Sequence, residues 1–104
     1  MKNYSIMITG PAEADLLEIV DYIADELKNP AAANQLMVKL AESILELEQL
    51  PFRYALVSDE QLAYQGIRKL VVENYIVFYI VSENNKLVTI VRVLYGKREW
   101  NNLL

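Results

Sequence analysis

The side chains best placed to do chemistry are the cations of the C-terminal third. Arg68 and Lys69 stand together, Arg92 lies among apolar residues, and Lys97 and Arg98 follow, with Tyr79, Tyr95 and Trp100 close by in sequence. Cations beside aromatic rings suit a phosphate backbone with a stacked base. They also stabilise developing charge without needing a proton acceptor. The chain has no histidine and no cysteine, so the commonest general base, the commonest metal ligand and all thiol chemistry are missing. With only Gly10, Gly66 and Gly96 there is no glycine-rich phosphate loop. Glu18, Asp21 and Asp25 have helical spacing, but on a surface helix such acids are solvated rather than ligands for magnesium. Neither a metal nor a cofactor is expected.

These cations sit in a chain that is acidic overall, with a net charge of −4 and a pI near 4.8. Between Gly10 and Leu50 the acids run from Glu13 to Glu48 against only Lys28 and Lys39; from Gly66 to Arg98 the bases oppose only Glu73 and Glu83. The split describes either a local anion-binding surface on an acidic body or two ordinary solvated faces. At 104 residues with 54% hydrophobic composition, a single domain spanning 1–104 with one core is expected. The longest apolar run, Ile76–Val81, is far too short to cross a membrane. Met1–Ser5 lacks the features of a secretory leader, which gives the expectation of a cytoplasmic protein.

The elements that must position the cations follow from period and punctuation. Tyr4, Ile6 and Ile8 alternate with smaller or polar residues, predicting a strand that Gly10-Pro11 ends. Pro11 opens a helix to about Lys28, whose buried stripe is Ala12, Leu16, Ile19, Val20, Ile23 and Leu27. Asn29-Pro30 starts a second helix, with Ala33, Leu36, Met37, Leu40, Ile44 and Leu47 as its stripe, limited by Pro51. The short link makes the two an antiparallel pair. Residues 52–65 read as an irregular, mobile loop. Ile67–Val72, Tyr75–Val81 and Leu87–Tyr95 are rich in β-branched and aromatic residues and predict three strands, the first two joined by a tight Glu73-Asn74 turn. The fold class is α+β: a compact β-α-α-β-β-β chain with a helix hairpin on an antiparallel sheet and a short C-terminal helix or tail.

In such a meander Arg68 and Lys69 begin one strand and Lys97 and Arg98 follow another, so the two pairs are not automatically neighbours. Strict alternation puts Arg92 on one face with Val88, Ile90 and Leu94, where it either meets a helix carboxylate or lines a cleft. Trp100 either closes the core or anchors a partner.

The order of these pieces resembles the RelE/ParE superfamily of type II toxin–antitoxin toxins. The resemblance rests on the start from Tyr4 through Pro11, then AEADLLEIVDYIADELKNPAAA, GIRKLVVENYIVFYIV from Gly66 and VTIVRVLYGKREWNNLL from Val88. It implies a growth-inhibiting toxin of a plasmid-stabilisation type system, neutralised by an antitoxin encoded beside it. RelE-like members cut mRNA on the ribosome; ParE-like members poison DNA gyrase. By resemblance, Arg68, Lys69 and Arg98 are the catalytic set if the chain is a nuclease. Arg92, Tyr95, Lys97 and Trp100 are then candidates for target binding, and Leu103 and Leu104 for antitoxin binding. Ile76 stands where many RelE-type toxins carry a phosphate-binding arginine, and the C-terminal catalytic tyrosine is replaced near Leu104. With the low pI, these departures tilt the expectation toward a ParE-like inhibitor. A ribosome-dependent endoribonuclease and a degenerate, non-toxic homologue are the alternatives.

Overall fold

The computed structural model describes residues 3–97 and 103–104. Strand β1 (Ser5–Ile8) leads into helix α1 (Gly10–Asp21), which continues as a wider π-helical turn over Tyr22–Glu26. Helix α2 (Pro30–Glu46), the one-turn α3 (Glu60–Tyr64) and strands β2 (Arg68–Val72), β3 (Tyr75–Ser82) and β4 (Leu87–Tyr95) complete the chain.

The helix starts are set by side chains that satisfy otherwise orphaned amides. Thr9 Oγ1 accepts from the Ala12 amide at 3.2 Å, and Asn29 Oδ1 accepts from the Ala32 amide at 3.1 Å. Proline fills the first turn of both helices, where its missing N–H costs nothing. α2 ends at Glu46, about a turn before Pro51; the Leu47, Glu48 and Gln49 amides donate three residues back to the Ile44, Leu45 and Glu46 carbonyls, a tightened last turn in which Leu47 stays buried.

The sheet order is β1-β4-β3-β2. The meander β2-β3-β4 is antiparallel, as its short turns require, but β1 joins β4 in parallel from Ser5↔Leu87 to Ile8↔Ile90. The sheet is therefore mixed rather than wholly antiparallel: α1 and α2 carry the chain back across one face, so β1 meets β4 pointing the same way.

Each face of the sheet has its own core. On the first, Ile19, Leu36, Leu40 and Ile44 of the hairpin pack on Leu70, Val72, Val77, Tyr79, Val88, Ile90 and Val93. On the second, Ile76, Phe78 and Leu94 are covered by Val57, Leu62 and Ile67, with Leu103 and Leu104 packed alongside. The second face corrects the reading of 52–65 as an irregular loop. Asp59 Oδ1 accepts from the Leu62 amide at 3.0 Å and nucleates α3, whose Leu62 is buried. Leu56 bridges to Arg68, and the Val57 amide donates to the Ile67 carbonyl.

Alternation fails in β4. Phe78 pairs with Arg92 and Tyr79 with Ile90, leaving Val91 unpaired as a bulge. The extra residue flips everything after it. Arg92 and Leu94 lie on the second face, whereas Val88 and Ile90 lie on the first, so the four do not share a face as simple periodicity predicts.

Candidate partner-binding cleft

β1 covers the edge of β4 only as far as Ile90. Beyond it the strand would present bare backbone to solvent, and α1 supplies the missing partners. The Thr9 amide donates to the Ile90 carbonyl at 3.2 Å, and Thr9 Oγ1 donates to the Val91 carbonyl at 2.9 Å. Asp15 Oδ2 accepts from the Val93 amide at 2.9 Å. The same carboxylate takes a forked pair from Arg92, Nε to Oδ2 at 2.7 Å and Nη2 to Oδ1 at 2.8 Å. The remaining nitrogen, Nη1, donates to the Leu103 carbonyl at 3.0 Å. Asp15 is 6% exposed, a burial that a carboxylate tolerates only with such complete pairing. Its hydrogen bond raises the Arg92 guanidinium above its ordinary value, against the pull of burial.

Arg92, a candidate target contact, is thus spent inside the fold on a helix carboxylate. Leu103 and Leu104, candidate antitoxin contacts, are partly buried against this chain's own second core.

Arg68 and Lys69 part company because consecutive strand residues point to opposite faces. Arg68 pairs with Tyr79 on the helix face and Lys69 with Phe78 on the other. Arg68 Nη1 donates to the Tyr54 carbonyl at 2.7 Å, and its guanidinium lies 5.0 Å from the centre of the Phe52 ring. Next to it the buried Tyr79 hydroxyl donates to the Pro51 carbonyl at 2.8 Å. Burial pushes that hydroxyl up to about 12, although Arg68 pulls it the other way. This group fastens the 51–54 segment to the sheet. Lys97 follows β4 at the opposite end, beyond Tyr95, which itself lies four residue steps, roughly 13 Å, along the strands from Arg68 at the usual rise per residue. Arg98 and Trp100 lie outside the described residues.

A cleft of about 950 Å³ lies between the hairpin and the Tyr75–Tyr95 end of the sheet. Its apolar wall is Ile19, Ile23, Leu27 and Leu36. Leu27, expected in the buried stripe, is 56% exposed: the π-helical turn breaks the 3.6-residue spacing before it. Tyr75 and Tyr95 meet edge to face with centroids 5.7 Å apart and planes at 66°. Burial, then the neighbouring Tyr95 and Tyr22 hydroxyls, raise the Tyr75 hydroxyl above its usual value, so three phenols gather at this end. Lys39 and Glu73 form an ion pair between α2 and the β2-β3 turn, both residues lining the cleft. Tyr95 therefore belongs to the cleft, away from Arg68 and Lys69. Sequence reasoning passed over Asp15 and Tyr22; the acid's position between Ala12 and Ile19, inside an otherwise apolar stripe, was the available signal.

A helix hairpin laid on a four-stranded mixed sheet is the architecture of RelE/ParE toxins. Residues 6–100 match the family described as "ParE toxin of type II toxin-antitoxin system, parDE", and the chain belongs to that family. Among solved structures, it is similar to a chain of the chromosomal ParDE toxin–antitoxin system from P. aeruginosa. The identity is 25% and the TM-score 0.74, over 91% of this chain and 98% of that one. A chain of the RelBE2 toxin–antitoxin complex from Mycobacterium tuberculosis shares the fold at 18% identity and a TM-score of 0.67, over 89% of this chain and 98% of that one. No curated protein matches. This is a toxin of the type II toxin–antitoxin class.

Proposed function

We propose that this toxin inhibits growth by binding a target, in the manner of a gyrase-directed ParE inhibitor, without cutting RNA. The observation that carries this reading is the dispersal of the cations among the described residues. A nuclease lacking a general base needs several positive groups converging on one phosphate. Here Arg68 is fastened to the Tyr54 carbonyl and Phe52, Lys69 faces the other side of the sheet, and Arg92 is bound by Asp15. Ile76, at the position where resemblance would put an arginine, is 8% exposed within the second core; a guanidinium there would need a partner that its apolar neighbours do not offer. The test is primer extension on mRNA after brief induction, run beside a supercoiling assay with purified gyrase. Intact mRNA with gyrase-linked DNA breaks is the expected result. Codon-positioned cleavage that depends on ribosomes and is lost in Arg68→Ala would overturn it.

The neutralising partner is an antitoxin, and its docking site is the hairpin–sheet cleft. The half-exposed Leu27 and Tyr22 and the apolar wall support this, since an amphipathic segment laid there would bury them. Leu27→Asp should keep the fold and abolish neutralisation by the co-expressed antitoxin.

A further inference from the structure

We propose that the antitoxin segment places one basic side chain, an arginine or a lysine, over the rings of Tyr22, Tyr75 and Tyr95 beside Glu18. This rests on the docking reading above and adds the chemistry of the occupant. The apolar wall alone would accept any amphipathic segment; the charges and rings select among them. Asp15 is matched by Arg92, and Glu73 by Lys39. Glu18 lines the same cleft, interacts with Arg92 only at longer range, and makes no ion pair within 4 Å among the described residues. An occupant that covered Glu18 without bringing a positive charge would strip water from a carboxylate and return nothing.

The tyrosines favour the same ligand. Tyr22 is 53% and Tyr95 42% exposed, so their rings still have open surface for a partner. The face of each ring is electronegative, and in an edge-to-face pair the ring presenting its edge keeps its faces available. Such faces attract ammonium and guanidinium groups and repel carboxylates. An acidic occupant would meet Glu18 and the ring faces together, and both would oppose it.

The antitoxin encoded beside this gene is titrated into purified toxin variants, each first checked by thermal melting. Tyr95→Phe keeps the ring and should bind like the wild type. Tyr95→Leu and Glu18→Gln should each weaken binding by roughly 2- to 30-fold, the range of a cation–ring contact. Leu27→Asp is the control for docking. If it leaves affinity unchanged, the cleft is not the docking site and the reading beneath this proposal falls. If Leu27→Asp weakens binding while Tyr95→Leu and Glu18→Gln do not, the docking stands and the basic contact is wrong. A second measurement needs no antitoxin. Choline should shift the ring resonances of Tyr22, Tyr75 and Tyr95, whereas its neutral isostere 3,3-dimethyl-1-butanol should not; equal responses would overturn the proposal.

Discussion

Asp15 serves Val93 as a surrogate strand. Its Oδ2 receives the Val93 amide at 2.9 Å across 78 residues of sequence, where a neighbouring strand would otherwise offer a carbonyl. Because the same carboxylate binds Arg92, one residue of α1 seals the β4 edge and neutralises a cation that the bulge turned away from the first face.

Removing either partner leaves the other charge poorly solvated. Asp15→Ala and Arg92→Ala should each cost about 3–5 kcal/mol, the usual penalty for breaking a largely buried pair. Urea unfolding measures it, and the double variant should cost less than the sum of the singles. Strict additivity would mean that the fork carries no coupling.

Alkaline stability should track Tyr79. Its hydroxyl titrates near 10 in the unfolded chain and at about 12 in the fold. Its contribution is fully present below pH 10 and is lost as pH rises toward 12. Two pKa steps correspond to at most about 2.7 kcal/mol. Unfolding at pH 8 and pH 11.5 should show a steeper alkaline loss in the wild type than in Tyr79→Phe. At neutral pH that variant should cost about 1 kcal/mol, since it orphans the Pro51 carbonyl.

Arg68→Ala should loosen the 51–54 segment rather than abolish an activity. It removes the hydrogen bond to the Tyr54 carbonyl and the stacking on Phe52, worth about 1–3 kcal/mol together. Faster amide exchange across 51–56 with growth inhibition retained is the expected pair of results. Lost inhibition in a fully stable variant would return Arg68 to the functional site.

Gly66→Ala tests the end of α3. Gly66 holds φ at +84° with open space around a new Cβ, so any cost is backbone strain, about 1–2 kcal/mol. Asp59→Ala, which removes the cap at the other end, should cost about 1 kcal/mol. Both should speed amide exchange in the second core, at Phe78 for example, before the first core responds.

Deleting Leu103-Leu104 should destabilise the fold by about 1–3 kcal/mol, since both pack on the second core and Leu103 accepts from Arg92. A truncated chain that melts at the wild-type temperature would show that these contacts contribute nothing.

Much of this architecture is written in local chemistry. The prolines at 11 and 30 and the caps before them place both helices, and Glu73-Asn74 between apolar runs places the hairpin. Three features escape such reading because non-local contacts decide them, and a fourth, α3, escapes it because it is too short. Val91 bulges just past the last residue of β4 that pairs with β1, and that single residue moves Arg92 to the other face. Asp15 looks like any acid near a helix start until the unpaired Val93 amide meets it. The cap at Asp59 and the glycine at 66 do announce α3, but five residues are too few for a period to show. Tyr22, Tyr75 and Tyr95 come together only because a π-helical turn and a strand end coincide in space.

The parallel seam between β1 and β4 also orders events during synthesis. β1 pairs only with β4 in the sheet, and α1 docks on that same strand through Asp15. The first 50 residues can form their helix hairpin as they emerge, but β1 has no strand to pair with, and α1 lacks the strand it docks on, until residues 87–93 have been made. Such late, long-range pairing is slow and leaves apolar surface uncovered meanwhile. The nascent toxin is therefore unfinished for most of its translation. A partner that docks on the hairpin, as proposed above, would find it uncovered before β4 is in place.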